Sequence, residues 1–134
     1  MGMTDAVKLF FMRYTDFQGR SSRAEYWWAY LGLILIIIVP YILVGIFASM
    51  GITAIAGLIG LLLLIFYLAI IIPSIAIVVR RLHDLDKSGW WYFIALVPLI
   101  GGLLLLWWFC QPGTKGPNTY GDDPYGGVDV GTFD

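Results

Sequence analysis

The chain has 134 residues, 60% of them hydrophobic and 13% charged, with a formal net charge of −1. A soluble domain carries roughly 45–50% apolar residues, and the charges here avoid the middle of every apolar run. A water-soluble globular domain is thereby excluded, and a small single-domain integral membrane protein is expected.

The near-neutral total hides a segregation. Seven of the eight basic residues (Lys8, Arg13, Arg20, Arg23, Arg80, Arg81 and Lys87) flank one end of the first two apolar runs, and Lys115 stands apart. Four of the nine acids, Asp122, Asp123, Asp129 and Asp134, gather near the C-terminus. Cys110 is the only cysteine, so no intrachain disulfide is possible, and at the end of an apolar run it reads as a buried packing residue.

In chain order, residues 1–25 are polar to amphipathic. Val7, Phe10, Phe11 and Tyr14 recur at helical spacing behind Thr4 and Asp5. They predict a short helix, Asp5–Tyr14, at the membrane surface, with Phe10 and Phe11 in the headgroup region and Lys8 and Arg13 facing phosphates. Gly19 permits a turn, Ser21 or Ser22 caps the next helix, and Glu25 in its first turn suits the dipole.

Residues 26–49 form the first expected span, 24 uncharged residues or about 36 Å of helix against a hydrocarbon core of roughly 30 Å. Tyr26, Trp27, Trp28 and Tyr30 anchor its start, and Pro40 predicts a kink. The run is too long for a signal-peptide core, so cleavage is not expected. Met50 and Gly51 make a tight connection. Residues 52–79 are the second span, antiparallel to the first, with Gly57 and Gly60 as a small surface and a kink near Pro73.

The stretch from Arg80 to Lys87 is a dense ionisable island holding the only histidine, His83. A segment this polar marks a span end, because lipid cannot solvate it. Residues 90–110 are the third run, with Trp90, Trp91 and Tyr92 at one end and Trp107, Trp108 and Phe109 at the other. Aromatic girdles at both ends favour a full crossing, which would place the tail 111–134 opposite the basic loop. Pro98, Gly101 and Gly102 interrupt the run; a re-entrant hairpin or a fourth crossing is the alternative. The tail is all turn formers.

Chemistry has few candidates. His83 with Asp84, Asp86 and Glu25 offers donor atoms for a cation, but no second histidine, cysteine pair or spaced ligand motif accompanies them. Ser88 is the only hydroxyl near His83 and lacks a nucleophile-elbow context. No catalytic residue, metal set or cofactor is therefore expected. Nucleic acid is not an expected partner, because the basic residues lie against the bilayer without a recognition motif.

Three blocks carry a family resemblance: Phe17-x-Gly19-Arg20-x-x-Arg23-x-Glu25-Tyr26-Trp27; Arg81-Leu82-His83-Asp84 with Ser88-Gly89-Trp90-Trp91; and Pro112-Gly113-Thr114 with Asn118-x-Tyr120-Gly121-x-Asp123-Pro124. On them the chain resembles the YhaH-like bacterial inner-membrane proteins, domain-of-unknown-function family 805. The resemblance implies an inner-membrane location and no particular activity.

The expected fold is all-α: a bundle of three transmembrane helices with an N-terminal interfacial helix. The expected role is non-enzymatic. A basic cytoplasmic face of Arg20, Arg23, Glu25, Arg80, Arg81, His83, Asp84 and Lys87 would engage anionic phospholipid, a membrane-protein partner or a second copy. The alternative is a small membrane enzyme or transporter component with a site around His83 and Asp84. The positive-inside rule places the N-terminus and His83 in the cytoplasm and Gly51 outside. Because the first two spans are antiparallel, their polar ends lie side by side. Glu25 is expected to pair with Arg80 or Arg81, and Asp84 with Arg20 or Arg23, at a wet headgroup interface.

Overall fold

The computed structural model describes residues 2–124; the expected acidic end of the tail, with Asp129 and Asp134, lies outside the described residues. Among these the protein is all helical apart from one isolated β-bridge in the tail. The elements are α1 (Met3–Met12), α2 (Arg23–Ser49), α3 (Thr53–Ala69), α4 (Ile71–Asp84), a 3₁₀ segment (Gly89–Leu96) and α5 (Ile100–Cys110).

Two stretches are long and apolar enough to cross a membrane, Arg23–Ser49 and Thr53–Asp84, with mean hydropathies of 2.9 and 3.0. Only 11% and 17% of their most apolar windows are buried within the chain. The core helix of a soluble protein would be mostly covered, so these flanks need lipid or protein around them.

Helix α2 starts earlier than the apolar run, because Ser22 caps it: its Oγ accepts from the Glu25 N–H at 3.1 Å. Pro40, the site of the expected kink, lies inside this one continuous helix. Gly51, at φ 78°, supplies the left-handed conformation that turns the chain into α3. The break between α3 and α4 falls at Ile70, ahead of Pro73. Proline has no N–H to offer the carbonyl four residues back, which is that of Ala69. The Tyr14 hydroxyl donates to this carbonyl instead.

Helix α1 packs against α2. Ala6 and Phe10 are buried against Ala29 and Leu33 of α2, with Ile70 and Ile77 on the other side. Phe10 is thus core rather than a headgroup anchor, whereas Phe11 stays exposed. Neither Thr4 nor Asp5 caps the helix; Gly2 occupies that position and makes no side-chain bond.

The third apolar run departs most from expectation. A single crossing helix over 90–110 is replaced by the 3₁₀ segment and α5, folded against each other around a turn at 97–99. Each arm is about 16 Å long, half of the roughly 30 Å hydrocarbon thickness. Gly101 makes the fold-back possible, since a Cβ there would lie 1.7 Å from the Ile94 carbonyl oxygen. The run begins beside Ser88 and ends where the Phe109 and Gln111 carbonyls meet Arg81. The tail therefore sits at the same end of the molecule as the basic loop, not opposite it. Cys110 is exposed, contrary to its reading as a packing residue.

Candidate functional site

The apolar part of α4 ends at Val79, and its last residues enter a layer where three polar segments meet: loop 13–22, the end of α4, and the tail from 110 onward. Arg80, Arg81 and Asp84 are each 0% exposed, and Arg20, Glu25 and His83 are also buried. Fully burying a charge is costly unless it is paired and hydrogen-bonded. The partners of each group therefore explain the shape of the layer.

Asp84 is the hub. One carboxylate oxygen accepts from Arg20 Nε at 3.0 Å and lies 2.9 Å from Arg20 Nη2; the other pairs with Arg81 Nη1 at 2.7 Å. Both arginines also donate to the tail. Arg20 donates to the carbonyls of Thr114 and Gly116, and Arg81 to those of Phe109 and Gln111. The Thr114 N–H closes the loop by donating to the Asp84 carbonyl at 2.7 Å. Tail carbonyls that would otherwise need water are thus satisfied by two guanidinium forks. Gly113 sits against this hub, where a Cβ would lie 1.9 Å from Asp84 Oδ2.

Arg80 faces the other way and organises the N-terminal loop. Its Nε donates to Ser21 Oγ at 2.8 Å, and its Nη1 to the carbonyls of Arg13 and Asp16 at 3.1 and 2.8 Å. Its Nη2 lies 3.8 Å from Glu25 Oε2, and Arg13 reaches the other Glu25 oxygen at 3.4 Å. Arg13 also pairs with Asp16 at 2.9 Å, so it is turned inward rather than toward lipid phosphates. Burial alone would raise the Asp16 pKa. The Gln18 N–H, the bond and charge of Arg13, and the charge of Arg80 outweigh it and hold the group below the usual carboxylate value.

His83 donates from Nδ1 to the Gly19 carbonyl at 3.0 Å, and its ring stacks on Tyr120 with centroids 4.0 Å apart and planes 3° from parallel. Its own carbonyl accepts from the Asn118 side chain at 2.9 Å. A carbonyl can only accept, so Nδ1 carries a proton, and the neutral form of this ring is the Nδ1–H tautomer. Burial pulls the imidazole below its ordinary 6.5, against the opposing effects of the Gly19 bond and Asp16. A depressed histidine pKa means that the unfolded chain binds the proton more readily. The stability this group contributes is whole above about pH 6.5 and declines as pH falls through that value. The unfolding midpoint in detergent is expected to drop between about pH 7.5 and about pH 5.5, and to drop less in His83→Gln. Equal pH dependence in the two proteins would contradict the neutral assignment.

Of the expected ion pairs, Glu25 with Arg80 and Asp84 with Arg20 are present. Their setting is different: the layer is dry and enclosed, where a wet headgroup interface was expected. Arg20, Arg80 and Arg81 have no surface left for lipid phosphates. Lys87 stands outside the ionic cluster, its Nζ 4.7 Å from the Trp108 ring centroid. Arg23 bonds the Cys110 carbonyl at 3.1 Å. The tail residues Thr114, Gly116, Asn118 and Tyr120, together with Arg13 and Ser21, are site members that sequence reasoning missed. Their signal was the fixed spacing of turn formers in the tail. Among the described residues no group of three or more His, Cys, Asp or Glu is placed to hold a metal ion.

Residues 14–122 match the family described as Protein of unknown function (DUF805). The chain belongs to the DUF805 family. It is 38% identical over 115 residues to the inner membrane protein YhaI of Escherichia coli K12, covering 83% of this chain and 87% of YhaI. It is 39% identical over 111 residues to the inner membrane protein YhaH of the same organism, covering 83% of this chain and 88% of YhaH. No solved structure matches. The DUF805 match takes in the loop from residue 14, the end of α4 and the tail as far as residue 122, and leaves out α1.

Proposed function

We propose that this DUF805 chain is a non-enzymatic module of the bacterial inner membrane, with its polar layer at the cytoplasmic face, that works by engaging a membrane partner. One observation carries this reading. The charged side chains that catalysis or transport would call on are spent on each other and on the tail, while the uncovered surface is apolar. The Asp84 carboxylate is held by two arginines, and the His83 donor is held by Gly19. An acid–base pair needs a group free to exchange a proton with a substrate. The relatives' names as inner membrane proteins support the location.

Anionic lipid is the second reading, with a narrower base than seven cations. Lys87 lies beside Trp108, and Trp90, Trp91 and Trp107 are exposed, a combination suited to the headgroup boundary.

The orientation follows from the charge asymmetry: the polar end holds the cations, and the connection near Gly51 has none. In a Cys110→Ser background, Lys115→Cys is expected to react with an impermeant maleimide only after the cells are opened. Met50→Cys is expected to react in intact cells. Ready labelling of Lys115→Cys in intact cells would overturn the cytoplasmic placement.

A further inference from the structure

We propose that the cavity between α4 and the 3₁₀ segment binds an uncharged lipid with a free hydroxyl at its head, of the acylglycerol type. The inference goes beyond the role proposed above and rests only on its membrane placement. It starts from two helical periods. On α4, Ile75, Val79 and His83 recur every four residues and share one face. In a 3₁₀ helix side chains three apart eclipse, so Trp90, Phe93 and Leu96 stand in one straight row. The Trp90 and Phe93 rings stack, with centroids 5.6 Å apart.

These rows wall a cavity of about 640 Å³, a usual size for a small-molecule site. Each row is about 12 Å long. The two segments run in opposite directions on either side of the loop at 85–88, so Trp90 belongs to the His83 end and Leu96 to the Ile75 end. The Ile75 end is wholly apolar, whereas His83 and Ser88 line the end at the polar layer. Among the described residues no Lys, Arg, Asp or Glu lines the cavity. Its shape is that of an amphiphile: one polar end and a long apolar body aligned with the depth of the membrane.

Hydrogen-bond accounting selects the head group. His83 is only 8% exposed, its Nδ1–H is held by the Gly19 carbonyl, and its Nε2 makes no hydrogen bond among the described residues. In the neutral ring Nε2 is an acceptor. Ser88 Oγ accepts from the Trp90 N–H at 3.3 Å, and its own O–H donates to nothing among the described residues. The polar end therefore offers one acceptor and one donor, and no charge. A hydroxyl donates and accepts at once, so it satisfies both. An ionised sulfonate or phosphate has no proton for Nε2 and would enter an enclosed site without a cation lining it. The acyl chain then follows the two rows away from the polar layer, into the hydrocarbon depth.

The test uses the full chain in phosphatidylcholine vesicles, whose lipid has no free hydroxyl. The probe is a monoacylglycerol with a photoactivatable diazirine in its chain, and labelled peptides are located by mass spectrometry. Saturable labelling within residues 75–96 is expected. Unlabelled monoacylglycerol is expected to displace the probe at about tenfold lower concentration than an alkyl sulfonate or the glyceride's dimethyl ether. Tenfold is the ratio that 1.4 kcal/mol, about one hydrogen bond, produces. Ser88→Ala is expected to weaken binding by about threefold to tenfold, and Ser88→Thr to restore it. Ala95→Trp, at an exposed position of the cavity wall, is expected to abolish saturable labelling. Displacement by all three competitors alike would mean that the head is not read, and would overturn the proposal. Labelling that never saturates, spreads over α2 and α3 and is unchanged in Ala95→Trp would overturn the site and leave the membrane placement standing. Absence of any label on α2 and α3 would remove the placement itself, and the site with it.

Discussion

Asp84→Asn is expected to lower the unfolding free energy by about 3–5 kcal/mol, the usual cost of stripping one partner from a fully buried ion pair. The substitution keeps the size of the side chain and removes only its charge. Arg20 and Arg81 would then be left in a dry layer with no anion between them. Against a typical total of about 5–15 kcal/mol, such a loss unfolds a large fraction of the protein. The measurement is a denaturation curve in detergent, alongside the amount of protein retained in the membrane. Because the harm comes from orphaned guanidinium groups, Arg81→Met added to Asp84→Asn is expected to recover part of it. A change below about 1 kcal/mol for the single variant would mean that the cluster is solvated, as exposed ion pairs are.

Gly113→Ala is expected to cost about 1–3 kcal/mol and to release the tail. The backbone conformation at Gly113 is not among the left-handed ones, so an alanine meets no local strain there. The obstacle is space. Its Cβ would lie 1.9 Å from Asp84 Oδ2, and two arginines pin that carboxylate so that it cannot swing aside. The tail must move instead, taking with it the carbonyls that Arg20 and Arg81 bond. Faster proteolysis after Gln111 in opened membranes would report the release. The cause can be isolated: in an Asp84→Ala background the clashing atoms are gone, and adding Gly113→Ala is expected to cost much less than it does alone. Equal costs in the two backgrounds would refute the clash.

Much of this arrangement is visible in the residue order. Uncharged runs of spanning length followed by Arg80 and Arg81 mark where lipid must stop, because hydrocarbon cannot solvate a guanidinium. The tight Gly51 connection makes the first two long helices antiparallel, which sets Glu25 beside Arg80 or Arg81 and Asp84 beside Arg20 or Arg23. A cap at Ser21 or Ser22 is announced by the residue type, and in the structure Ser22 accepts the Glu25 N–H there. The polar tail also advertised itself through Pro112, Gly113, Asn118 and Gly121, though only as a set of turns.

The path of the third run was not legible. Trp90–Tyr92 and Trp107–Phe109 sit at the two ends of the run in sequence, and a girdle pattern reads the same whether those ends lie on opposite faces or on one. Only the close approach at Gly101 and the seating of the Phe109 and Gln111 carbonyls on Arg81 decide for one face. The helical period likewise placed Phe10 on an apolar stripe without saying whether lipid or α2 would cover it.

The sequence by itself determined that this is a membrane protein, where its two long helices run, and which charges share one end, since these depend on local composition and chain connectivity. Only the tertiary structure decided that those charges are buried rather than displayed to phosphates. Burial of a side chain depends on what other segments bring over it. Here the cover is a tail about thirty residues away along the chain, whose free carbonyls are what make the buried arginines tolerable.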